Sequence, residues 1–270
     1  MSLYDVIDEI SQRSTQQTEL GDTRVYGVML GVVVKNYDKA SPGRVCVNIP
    51  ARDDKTNELK WVRQAFPSFG TGWGCYFLPE VGDQVLLAFE GGDIEKPYII
   101  GCVPKDDNRV VSAAADAQNQ YKRIVTRHGS TIAFEDSAQG GGKNDKITVE
   151  TAGGQHTFLM DNENGVIRIS DKEKKNMVEM KTAEGTMTVK TAAKLTVEVG
   201  DSIKVILNGE SGTVKIEAQN VQIKASEQIK AGTDGMMKLE ASQISAEASS
   251  VLKAGSGGMV QISGNPIKIG

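Results

Sequence analysis

In the last third of the sequence, apolar residues return every eight positions in short alternating units, and this spacing constrains the fold more than any other feature. Met187, Leu195 and Ile203 open three such units. After a two-residue slip at Ser211-Gly212, Thr213, Val221, Ile229 and Met237 keep the spacing, and after a second slip near 243 Ile244, Leu252 and Val260 continue it. The units read MTVKTAAK, LTVEVGDS, IKVILNGE, TVKIEAQN and VQIKASEQ, each a few alternating residues followed by small or polar ones. Alternation with period two marks a strand with one buried face. Strands repeated at a fixed interval mark a stacked architecture, in which each unit buries its face only against neighbours. The repeat therefore predicts a building part rather than a catalyst.

Aromatic residues divide the chain in the same way. Both tryptophans, Trp61 and Trp73, and all six tyrosines lie before residue 135, and nothing aromatic follows Phe158. A globular front thus precedes a thin, aliphatic, glycine-rich rear. The formal net charge of −4 argues against a nucleic-acid binder, which carries a basic face. Three cysteines, Cys46, Cys75 and Cys102, fall in no CxxC pair and are expected as buried free thiols rather than a disulfide framework. The N-terminal MSLYDVIDEISQRS lacks the apolar core of a signal peptide, and no stretch approaches the ~20 apolar residues that span a bilayer. The expectation is assembly in a bacterial cytoplasm.

Along the front, Leu3, Val6, Ile7 and Ile10 recur at helical spacing and predict a short amphipathic helix within residues 1–22. It either packs on its own domain or docks on a partner. Residues 23–104 read as strands and turns: VYGVMLGVVVKNYD with Gly27 and Gly31 as bends, RVCVNIP after an SPG turn, KWVRQAF, EVGDQVLLAFE and PYIIGCV. Five or so strands in that length suit a small closed barrel of the OB type. Residues 105–123 are polar, show no strand pattern and read as a linker. Residues 124–186 read as a transition region of strands and turns, and 187–270 as the repeat.

The ordered motifs of the front and middle resemble a known family. PEVGDQVLLAFEGGDIEKPYIIGCV at 79–103 is similar to the barrel signature of phage baseplate central spikes, the baseplate assembly protein V family, and of the related valine-glycine-repeat spikes of type VI secretion. YKRIVTRHGSTIAFED, KITVETAGG, FLMDNENG and VIRISD resemble the passage from barrel to needle in those proteins. The resemblance implies an all-β homotrimer: an OB barrel, then a three-chain intertwined β-helix at the end of a contractile tail tube. It implies a structural role in piercing a target envelope, in a phage virion, a tailocin or another contractile particle.

A trimer agrees with elementary physics. A lone strand of each unit leaves its backbone groups unpaired and its apolar face wet, and chains wound together satisfy both. The expected axis residues are Leu195, Val197, Ile203, Val205, Val221 and Ile223. About a dozen units rising one strand spacing of ~4.8 Å each give a needle on the order of 60 Å. Type VI spikes usually fuse a large hub ahead of the barrel. Only about two dozen residues precede the barrel here, which implies a separate tube-hub protein, with Leu3, Val6, Ile7 and Ile10 as the expected contact. At the other end Ile267, Lys268, Ile269 and Gly270 are the expected seat of a conical PAAR-type tip protein.

No cofactor, metal or catalytic residue is expected. The interval 104–123 is too short for the lysozyme domain that some members carry, and no Glu/Asp pair sits in a setting for glycoside hydrolysis. His128 and His156 lie far from the tip, where some phage spikes bind iron. GGGK at 140–143 and GSGG at 255–258 lack the spacing of a phosphate loop. Two other readings compete: a β-helical polysaccharide-degrading or carbohydrate-binding tail protein, and an OB-fold nucleic-acid module. The second draws on Trp61, Phe66, Phe69, Trp73 and Tyr76 around PSFGTGWG, a cluster that core packing and hub contact explain more simply.

Overall fold

The computed structural model describes residues 24–50 and 58–268. The predicted helix carrying Leu3, Val6, Ile7 and Ile10 lies outside them, as do Ile269 and Gly270. The chain falls into two compact units that divide near Leu195, with Asn208–Ser211 belonging to the first.

The first unit opens with a closed barrel. Its strands are β1 (Met29–Lys35), β2 (Arg44–Asn48), β3 (Glu58–Gln64), β6 (Gln84–Phe89) and β7 (Pro97–Val103), in the order β1-β2-β3-β7-β6. Between β3 and β6 a small hairpin pairs β4 (Phe69–Gly70) with β5 (Trp73–Gly74). Strand β3 meets β7 in parallel, and the other barrel neighbours run antiparallel. Closure removes the exposed edges that an open five-stranded sheet would present. Alternating aliphatic residues fill the interior: Val33, Val45, Val47, Ile49, Val85, Leu87 and Ile99 are all buried.

Gly31 sits inside β1 in regular register with Val85. It is therefore not the bend that the sequence suggests, and the irregularity falls at Val33/Lys35 instead. Its role is close approach, because a Cβ there would lie 2.3 Å from Val47 Cγ1 and 3.0 Å from Leu87 Cδ1. The expected burial of the three thiols holds for Cys46 alone. Cys75 follows the exposed hairpin, Cys102 points outward from β7, and all three are free.

The stretch read as a linker contains a short helix, α1 (Arg109–Ala114). Asn108 caps it by accepting from the backbone N–H of Val110 and Val111 at 3.0 and 3.1 Å. Seven strands then form one sheet: β8 (Tyr121–Val125), β9 (Thr131–Glu135), β10 (Lys146–Glu150), β11 (His156–Asp161), β12 (Val166–Asp171), β13 (Met177–Lys181) and β14 (Thr186–Lys190). They pair in sequence order as an antiparallel meander. At the β8–β9 turn, which contains His128, Arg127 Nη1 donates to Glu80 Oε2 at 3.2 Å and ties the meander to the barrel.

Short polar side chains hold the meander's turns. After β12, Asp171 accepts from Lys175 N at 2.8 Å, Asn176 N at 3.1 Å and Asn176 Nδ2 at 2.7 Å. Partial desolvation pushes this carboxyl up, but the donors from Asn176 and Lys175 outweigh it and hold the group below its ordinary value of 3.8. Asp161 is held low likewise, desolvation being outweighed by the side-chain and backbone N–H of Asn164.

The second unit contains most of a three-stranded sheet, β15 (Lys194–Val199), β16 (Ile203–Asn208) and β17 (Thr213–Glu217), in that order. The first repeat units therefore do pair within one chain, contrary to the expectation that a lone chain leaves them open. Gly200 and Gly212, at φ of +57° and +63°, turn the chain back between these strands. In β17 the apolar pair is Val214 and Ile216, one residue after the predicted Thr213, so the slip at 211–212 shifts the apolar phase. From 218 to 268 the described residues form no strand, and their side chains are almost all exposed.

Two outcomes follow. Gly31→Ala forces stiff Val47 to move and is expected to cost about 1–3 kcal/mol, read as a lower denaturant midpoint of the barrel. The Asp171 turn gains from the depressed carboxyl above the unfolded value of 3.8 and loses that gain as pH falls through the lower folded value. An NMR titration of the Asn176 amide is expected to show its midpoint below 3.8, and a midpoint at or above that value contradicts the turn geometry.

Candidate self-association surface

Strand register brings the apolar positions of the meander into line. Ile124, Ile132, Val149, Phe158, Ile169, Val178 and Val189 are successive cross-strand partners from β8 to β14. A second row on the same face runs Lys122, Phe134, Ile147, Met160, Ile167, Met180 and Met187. Side chains two apart share a face, so every strand contributes two positions, and only Lys122 at the margin is charged. Lys122 Nζ turns aside to Asp136 at 2.9 Å.

The opposite face carries the charges. Arg168 and Glu179 are cross-strand partners joined at 2.6 Å, and Lys146 reaches Glu163 at 2.7 Å and Asp161 at 3.9 Å. Exposure is the reverse of what a soluble single-chain sheet requires. The Arg168 side chain is 22% exposed, whereas its neighbour Ile169 on the apolar face is 59% exposed. Phe134, Met180, Met187 and Val189 are likewise exposed. Contiguous apolar surface of this kind marks a place where another surface fits.

The surface is grooved at the barrel end. A groove of about 520 Å³ is lined by Ile124, Ile132, Val149, Phe158 and Ile169 from the sheet, together with Phe77 from the barrel. Phe77 carries the apolar character of the face across from one domain to the other.

The predicted axis residues lie farther along the chain. Leu195, Val197, Ile203 and Val205 share the strand alternation of β15 and β16, with Leu195 and Val205 half-buried. Val221 and Ile223 lie beyond the last strand and are exposed. Of the tip residues, Ile267 and Lys268 are described and exposed. The rows at 122–189 were not singled out from the sequence. Their signal was there, in the matched alternation of KRIVT, TIAFE, KITVE and VIRIS.

The aromatic cluster departs from expectation. Phe66 and Trp61 are half-buried, but Phe69, Trp73, Tyr76 and Phe77 are exposed, so core packing does not explain them. Trp61 adopts φ of +54°, a conformation rare for a bulky residue. His156 meets Thr151 Oγ1 through its backbone N–H at 3.0 Å. Among the described residues no three His, Cys, Asp or Glu gather as metal ligands, and no helix is long and apolar enough to cross a membrane.

Comparison with known proteins agrees with the barrel. Residues 29–103 match the type VI secretion system/phage-baseplate injector OB domain. The chain is 30% identical over 108 residues to the type VI secretion system spike protein VgrG5 of Pseudomonas aeruginosa, covering 40% of this chain and 12% of that protein. It is 33% identical over 103 residues to the spike protein VgrG3 of Vibrio cholerae, covering 36% of this chain and 10% of the relative. The matched stretch is thus a small part of each relative's length. The barrel of this chain thus matches the injector OB domain of type VI secretion systems and phage baseplates, and over that stretch the chain is similar to spike proteins of such injection systems.

Proposed function

We propose that this chain is a structural, non-enzymatic spike subunit of a contractile injection machine that assembles as a homotrimer. The observation that carries the reading is a barrel matching the injector OB domain, followed in the chain by a meander whose apolar face is turned to solvent. Obligate assemblies cover several thousand Å² of such surface.

In the assembly the rows from Ile124 to Val189 and from Phe134 to Met187 face a common axis, and in the repeat Leu195, Val197, Ile203, Val205, Val221 and Ile223 are the axis residues. Residues 218–268 carry alternating apolar side chains without a ladder of their own, and strands of neighbouring copies supply it. The barrel docks on a separate tube hub, with Leu3, Val6, Ile7 and Ile10 as further contacts. Ile267, Lys268, Ile269 and Gly270 seat a tip protein, and the assembly is driven through a target envelope when the sheath contracts.

Light scattering on the purified chain tests this. The expected mass is three times 29.0 kDa, and a persistent monomer overturns the reading. Ile169→Asp places an unpaired carboxylate in the common core at a cost on the order of several kcal/mol per copy and is expected to abolish the assembled species. Thr186→Asp, on the charged face opposite Lys181, is expected to leave it intact.

A further inference from the structure

The exposed aromatic residues of the barrel form a constructed surface. In the β4–β5 hairpin, Phe69 faces Gly74 and Gly70 faces Trp73 across the pair. A Cβ on Gly70 would lie 2.5 Å from Trp73 Cε2, and one on Gly74 would lie 2.5 Å from Phe69 Cδ2. Each ring therefore lies flat on the glycine opposite it. Phe66 stacks on Phe69 with centroids 5.1 Å apart and meets Tyr76 at 5.7 Å. Cys75 N donates to Ser68 O at 3.0 Å and closes the hairpin, while Gln64 Nε2 holds Phe77 O at 3.0 Å. The rings are fixed before any partner arrives, which lowers the entropy lost on binding.

Nevertheless Trp73 is 63% exposed, and Phe69, Tyr76 and Phe77 are exposed with it. Residues 65–79 carry no charge in a chain that is 24% charged. A nucleic-acid platform pairs its stacking rings with basic residues, which this stretch lacks. The matching chemistry is another apolar, uncharged surface, and the chain itself bears one. Phe77 belongs to both, because it also lines the groove with Ile124, Ile132 and Phe158.

We infer that the aromatic hairpin and Phe77 are covered by a second copy of this chain and form the barrel-end closure of the assembly's apolar core. The inference rests on the homotrimer proposed above and extends the contact from the sheet into the barrel. Trp73 and Phe69 thereby become assembly residues rather than hub contacts.

Trp61→Phe leaves Trp73 as the single tryptophan of the full chain. In an assembled sample, verified by light scattering, its emission is expected to be blue-shifted and several-fold less quenched by acrylamide than in the urea-unfolded chain. Quenching equal to the unfolded chain in an intact assembly overturns this inference and leaves the homotrimer standing. A monomer overturns the homotrimer and this inference with it. A change of Trp73 emission on adding single-stranded DNA to the intact assembly also overturns it. Trp73→Ala, at an exposed position, gives an independent reading: self-association is expected to weaken about tenfold or more, whereas Tyr37→Ala at another exposed ring leaves it unchanged. Equal association of the two variants counts against the closure.

Discussion

The meander depends on one constraint: a sheet pairs strand with strand but cannot cover its own apolar face. The barrel escapes the constraint by curling until Val33, Val47, Leu87 and Ile99 meet one another inside. The seven-stranded sheet has a similar apolar alternation and an unbroken run of paired strands, yet Ile124, Ile169 and Val189 remain wet. Backbone pairing and apolar burial are separate demands, and this chain meets them with different partners. The proposed homotrimer is the arrangement that meets the second.

Much of this was written locally in the sequence. Alternation in RVCVN, QVLLAF and PYIIGCV marks three barrel strands, and the Asn, Asp and Gly turns of the rear mark the meander. The parallel contact of β3 with β7 was not legible, because nothing near either strand specifies a partner some 35 residues away. The helix Arg109–Ala114 was missed although Asn108 is a good cap, since Ala and Ser around it resemble linker composition. Residue type located the aromatic cluster but did not reveal its exposure. That depends on how Phe69 and Trp73 lie across Gly74 and Gly70, which is tertiary information.

The exposed apolar rows of the meander lie outside the regular repeat. The eight-residue repeat points to Leu195 through Ile223, where the spacing is regular. The register of β8 to β14 instead makes the continuous rows earlier, between residues 122 and 189, where irregular turn lengths hide any fixed period. Turns such as 136–145 vary in length while the strands stay in phase across the sheet. A constant repeat is thus not required for such rows.

The order of the meander also has a mechanical consequence. Its strands pair strictly in sequence, so the inter-strand hydrogen bonds lie along the direction in which the chain advances, about 29 Å over six spacings of ~4.8 Å. Pulling along that direction opens one hairpin at a time, each resisted only by its own few bonds. Pressing along it closes strand upon strand and loads the whole stack together. A sheet wired this way is a strut and a poor tether.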